Sequence, residues 1–198
     1  MTTLTCFFVL LSLYVTAYAR IHPLMHQTQT NPKTEPVSAD VIEKACAQSA
    51  AKDLCVSSLK TASTGGVNDL KQAAWVAIQA ASGEATATSE LIKAARKREE
   101  NKEVVEDGIE EETLADCNMS YISLVETLAK AAKSLSAGPG TDALGDIKAA
   151  VTTAETCDKS IAGGRKSPMV EEVAKKNEIV RKLCSNALSV YNVYAAGP

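Results

Sequence analysis

Between Thr113 and Leu135 the chain sets Leu114, Cys117, Tyr121, Leu124, Leu128, Ala131 and Leu135 at alternating steps of three and four, with no Gly or Pro between them. That spacing lines all of them along one stripe of an α-helix of about six turns. A stripe of this length cannot remain in water, so it dictates partner helices. Cys117 lies within it, and if oxidised it ties this helix covalently to a neighbour.

The flanking segments supply the partners. From Val67 onward Leu70, Ala74, Ala77, Ala81, Ala85, Thr88, Leu91 and Ala95 hold one helical face to about Arg98, with Gly83 inside the run at a helix-propensity cost of about 1 kcal/mol relative to Ala. After the break Ser136-Ala137-Gly138-Pro139-Gly140-Thr141, Asp142 is placed to cap a helix whose inner side carries Leu144, Ile147, Val151, Ala154, Cys157 and Ile161. Gly163-Gly164 ends it. Ser167-Pro168 reads as N-cap and first residue of a last helix, with Met169, Val173, Val180, Cys184, Ala187, Tyr191 and Tyr194 facing inward. Upstream, Asp40 and Glu43 have capping-box spacing at the head of DVIEKACAQSA, and a second short helix around Cys55 to Lys60 runs into Thr64-Gly65-Gly66. No segment alternates like a strand. The expected fold is all-α: an antiparallel four-helix bundle over 67–195 behind an N-terminal helical hairpin over 38–64.

The N-terminal residues read differently. Phe7 to Val15 is a short apolar run followed by Ala17-Tyr18-Ala19, the pattern of a cleaved signal peptide over 1–19. The run is too short for a bilayer, which takes about 20 residues of helix. A polar arm with three prolines, 20–37, follows. A secreted protein, monomeric and free of the membrane after cleavage, is therefore expected. Of the six cysteines, Cys6 leaves with the signal, and the remaining Cys46, Cys55, Cys117, Cys157 and Cys184 allow fifteen arrangements of two bridges and a free thiol. Proximity makes Cys46 with Cys55, and Cys117 with Cys157 on consecutive helices, the natural pairs. Cys184 would then be a small buried apolar residue.

Chemistry is sparse. The net charge of −3, with Trp75, Tyr121, Tyr191 and Tyr194 as the only aromatics after residue 19, gives neither an electrostatic nor a stacking case for nucleic acid. Both histidines, His22 and His26, fall in the arm with Pro23 between them, so neither a His-based triad nor a metal site is expected on the bundle. No glycine-rich phosphate loop occurs and no cofactor is expected. The eight acids between Glu99 and Glu112 lack the pattern of a calcium loop and read as a solvated turn with carboxylates at a helix start. Asn118-Met119-Ser120 is a glycosylation sequon on the face beside Cys117. A binding surface is expected, and no enzyme.

Four pieces in order carry a family resemblance: Cys46-x8-Cys55 followed by VSSL, Leu114-x-x-Cys117-x-x-x-Tyr121, AAVTTAETC ending at Cys157, and SNAL at Ser185 to Leu188. The chain resembles, over about residues 38 to 194, the plant invertase and pectin methylesterase inhibitors, including their pollen-allergen branch. The resemblance implies an inhibitor domain over 38–198, bridges Cys46–Cys55 and Cys117–Cys157, and capping of a cell-wall enzyme in the apoplast or an invertase in the vacuole. Ser49, Ala51 and Lys52 stand where the family has Thr and Tyr-Pro, and Lys159 and Ile161 where it favours Asp and Phe. Arg165-Lys166-Ser167-Pro168-Met169 replaces the Pro-Lys-Phe of the best-known invertase inhibitors. Pectin methylesterase is thus the first expected target, invertase the second, and an allergen-like bundle without an enzyme target the third. Helical phase places the expected contact residues opposite the apolar stripes: Asp116, Ser120, Ser123 and Thr127 on one helix, Lys148, Thr152, Glu155 and Lys159 on the next.

Overall fold

A computed structural model describes residues 39–63, 66–100, 109–138, 142–164 and 166–197. The chain divides into two compact units, Met1–Glu35 and Pro36–Pro198, and every described residue belongs to the second. The expected signal peptide, most of the arm with His22 and His26, and much of the acidic run lie outside the described residues.

Among the described residues six helices follow in order: α1 (Ala39–Cys46), α2 (Lys52–Ala62), α3 (Leu70–Glu100), α4 (Ile109–Ala137), α5 (Ala143–Gly163) and α6 (Pro168–Ala195). No strand occurs among the described residues. The long helices pack in a closed cycle, α3 on α4, α4 on α5, α5 on α6 and α6 on α3, while α1 and α2 cover the side formed by α3 and α6. The seven-residue stripe of α4 is buried along its whole length, from Leu114 to Leu135. Around it α3 contributes mostly alanine: Ala73, Ala74, Ala77, Ala81 and Ala85 are buried with Ile78 and Ile92. Small side chains bring the α3 backbone close to its neighbours, so the core is held by many short contacts instead of large rings.

Local signals explain the helix ends. The Asp142 carboxylate accepts from Gly145 N–H at 2.7 Å, and Ser167 Oγ accepts from Val170 N–H at 3.1 Å with Pro168 as the first helical residue. Gly138, with φ of +100°, stops α4 in a conformation that costs other residues dearly. The capping-box expectation at Asp40 is corrected: α1 already includes Ala39, so Asp40 sits in the first turn, where its charge meets the positive end of the helix. The start of α2 is also earlier than the sequence pattern indicated, at Lys52.

Two disulfides staple the fold. Cys46–Cys55 joins α1 to α2 with Cα atoms 5.8 Å apart, and Cys117–Cys157 joins α4 to α5 at 4.6 Å. Cys184 is a buried free thiol. The hairpin is tied to the bundle by buried Asn186 on α6, which bonds the Ser49 hydroxyl and donates through Nδ2 to Ala51 O at 3.3 Å.

Gly83 lies inside α3, exposed, where an added Cβ would meet nothing within 4 Å. Gly83→Ala is therefore expected to stabilise the protein by about 0.5–1 kcal/mol, since only the helix-propensity gain acts. Urea unfolding of the two proteins checks it; a lower midpoint for the variant would mean that α3 needs the glycine.

Candidate protein-contact face

The bridge fixes the centre of one side of the bundle. Above and below it α4 and α5 are joined by polar ties: Ser160 Oγ on α5 donates to Asp116 Oδ2 on α4 at 3.4 Å, and at the far end Asp146 on α5 receives Lys130 Nζ at 3.0 Å and Ser134 Oγ at 3.2 Å. Asp146 is almost wholly buried, so this cluster holds the two helices in register more firmly than an exposed ion pair could.

Beneath the pair lies a buried polar layer. Asn177 on α6 has no exposed surface, and both its side-chain oxygen and its side-chain nitrogen are hydrogen-bonded. Its Oδ1 accepts from Tyr121 OH on α4 at 2.8 Å, and its Nδ2 donates to Ala154 O and Asp158 Oδ1 on α5 at 3.2 and 2.5 Å. Asp158 in turn meets Arg181 Nε at 3.1 Å. One side chain thus fixes α4, α5 and α6 at the same height. Burial raises the Tyr121 phenol far above its ordinary range, so it stays a neutral donor.

On this frame Asp116 and Ser123 are exposed and Ser120 and Thr127 half-buried, while Lys148, Thr152, Glu155 and Lys159 are all exposed on α5. These α5 residues form the outermost stripe of the helix. The flank that Ser160 turns toward α4 continues through Thr156 and Thr153, one helical step round from that stripe. Sequence reasoning missed Thr153, Thr156 and Ser160, because phase taken from the apolar side fixes the outward direction but not the neighbour's position. It also passed over Met119 and Ile122, 69% and 43% exposed, which give α4 an apolar strip beside Ser123. Their one signal was an apolar residue on the polar side of the wheel.

The sequon is less open than its position in the sequence implied. Asn118 is only 8% exposed and its Oδ1 has no hydrogen-bond partner. A glycan on its side chain would have to be attached before α4 packs. Burial pushes the Cys184 thiol up to about 12, which leaves it an unreactive core residue at neutral pH. Among the described residues no group of three or more His, Cys, Asp or Glu is placed to hold a metal ion, and no helix is long and apolar enough to cross a membrane.

A stapled, cyclic four-helix bundle with a helical hairpin on one side and a rigid, hydroxyl-rich face on another defines the class: a small helical scaffold that presents side chains to another macromolecule. Residues 40–190 match the sequence model of the family described as Plant invertase/pectin methylesterase inhibitor, and the chain belongs to that family. Two solved structures share the fold. One is a mutant form of a pectin methylesterase inhibitor from Arabidopsis, 21% identical, covering 76% of this chain and 95% of its own, with a TM-score of 0.63. The other is a pectin methylesterase inhibitor from Arabidopsis thaliana, 20% identical, covering 78% and 96%, with a TM-score of 0.56. No curated protein matches the sequence.

Proposed function

We propose that this protein is a secreted, monomeric inhibitor of pectin methylesterase, acting in the cell wall by docking the α4–α5 face across the rim of the enzyme's substrate groove. Family membership supports an inhibitor of pectin methylesterase or invertase. The observation that carries the mode of action is the locking of α4 to α5 by the Cys117–Cys157 bridge, the Asp116–Ser160 contact and the Asp146 cluster. A face held in this way loses little freedom on binding, so its hydrogen bonds are not spent on ordering the inhibitor itself. It blocks access and leaves the enzyme's chemistry untouched. The absence of Pro-Lys-Phe before the last helix favours pectin methylesterase over invertase.

Assays of the purified protein against plant pectin methylesterase and invertase test the target directly: inhibition of the first alone is expected, and inhibition of invertase alone would reassign it. Ser123 and Thr152 are both exposed on the proposed face. Changing both to Arg is expected to weaken inhibition at least tenfold, about 1.4 kcal/mol, with helical circular dichroism unchanged. Full inhibition by this double variant would move the contact to other helices.

A further inference from the structure

The hydroxyls of the α4–α5 face have a common polarity. Ser120 Oγ lies 3.0 Å from Asp116 O, Thr127 Oγ1 2.7 Å from Ser123 O, Thr153 Oγ1 2.8 Å from Ala149 O, and Thr156 Oγ1 3.2 Å from Thr152 O. Thr152 repeats the pattern on Lys148 O at 3.2 Å. A carbonyl oxygen carries no proton, so in every pair the hydroxyl is the donor. A Ser or Thr has one O–H, and in Ser120, Thr127, Thr152, Thr153 and Thr156 it is committed to its own helix. What these groups turn outward is oxygen lone pairs.

The charges nearby do not alter this bias. Lys148 and Lys159 balance Asp116 and Glu155 in charge, and as donors they belong to the outer stripe of α5, one helical step round from the Thr153 and Thr156 hydroxyls. The face therefore carries little net charge, and the one-sided hydrogen-bonding character belongs to its hydroxyl rows.

We infer that the α4–α5 hydroxyls form an acceptor surface whose partner is a protein face rich in hydrogen-bond donors, such as Arg, Lys, Asn or Gln side chains and free main-chain N–H groups. This rests on the proposed inhibitory role and specifies the chemistry of the surface that the inhibitor meets. A partner face made chiefly of carboxylates and carbonyls fits poorly. To bind it, each hydroxyl would have to break its helix bond and turn its proton outward.

The test uses the whole protein, purified pectin methylesterase as the probe, and substitutions that separate shape from polarity. Thr153→Val with Thr156→Val keeps shape and removes the outward lone pairs, and inhibition is expected to fall at least tenfold. Thr156→Glu offers only acceptors and should inhibit within threefold of the wild type; Thr156→Lys offers only donors and should lose at least tenfold. Circular dichroism and thermal melting confirm that each variant is folded. Wild-type inhibition by the double Val variant overturns the proposal, and so does a Lys variant that inhibits as well as or better than the Glu variant. Either result leaves the inhibitory role standing. A wild-type protein that slows pectin methylesterase not at all removes that role, and this inference with it.

Discussion

Asn177→Leu is expected to cost about 4 kcal/mol of stability, the largest effect of any single substitution considered for this bundle. Leucine fills nearly the same space but abandons three partners at once, the Tyr121 hydroxyl, the Ala154 carbonyl and the Asp158 carboxylate. A buried polar group left unpaired costs about 1–3 kcal/mol, and a carboxylate more. Tyr121 is fully buried and is left with the buried Thr88 hydroxyl beside it, whereas Asp158 keeps Arg181 and some solvent. The penalty therefore falls chiefly on the phenol. Pairing the change with Tyr121→Phe should restore at least about 1 kcal/mol, because removing both members of the Tyr121–Asn177 bond leaves neither of them unsatisfied. Denaturant unfolding of the two single variants and the double variant measures this coupling. Simple addition of the single costs would show that the layer does not act as a unit.

Loss of the Cys117–Cys157 bridge, with both residues changed to Ala, is expected to destabilise the protein by about 4 kcal/mol, against about 3 kcal/mol for Cys46–Cys55. The difference follows from loop length, since the partners are 40 residues apart in one case and 9 in the other. The longer bridge also spans the α4–α5 pair on which the proposed contact depends. Its loss should weaken inhibition at temperatures where the protein remains folded, while loss of the hairpin bridge should not. Unfolding midpoints and inhibition assays on the two double-Ala variants check both statements, and a reversed order of stability would contradict them.

The bundle was legible because its helices bury nearly continuous stripes, and a 3.6-residue period over five or more turns has little else to mean. Cys117 and Cys157 were paired from their places on consecutive helices, and Cys46 and Cys55 from their nearness in sequence across the hairpin. Asn177 was not recovered, yet the inward series on α6 ran from Val173 to Val180 in a single step of seven, and Asn177 fills the missing place. A polar residue at a core phase demands partners on other helices, and one sequence does not show which ones face it. The same limit applies to the face of α5. The outward direction of Thr152 came from its own helix, whereas the value of Thr153, Thr156 and Ser160 depends on where α4 lies beside them. Asn186 sat within the SNAL segment that carried the family resemblance, and its grip on the hairpin gives that segment a physical role.

The unpaired Cys184 lies within a core that also holds two disulfides. Thiol–disulfide exchange proceeds through the thiolate, and with its titration pushed up to about 12 only about one molecule in 10⁵ carries that anion at pH 7. In the closed bundle a fifth sulfur is present without being a competitor. In the unfolded chain, with an ordinary thiol pKa of about 8.5, a few per cent is ionised. The gap of about three orders of magnitude makes pairing fidelity a matter of sequence in time: the bridges must be chosen correctly before α6 docks, and once it has docked the fifth cysteine can no longer rewrite them.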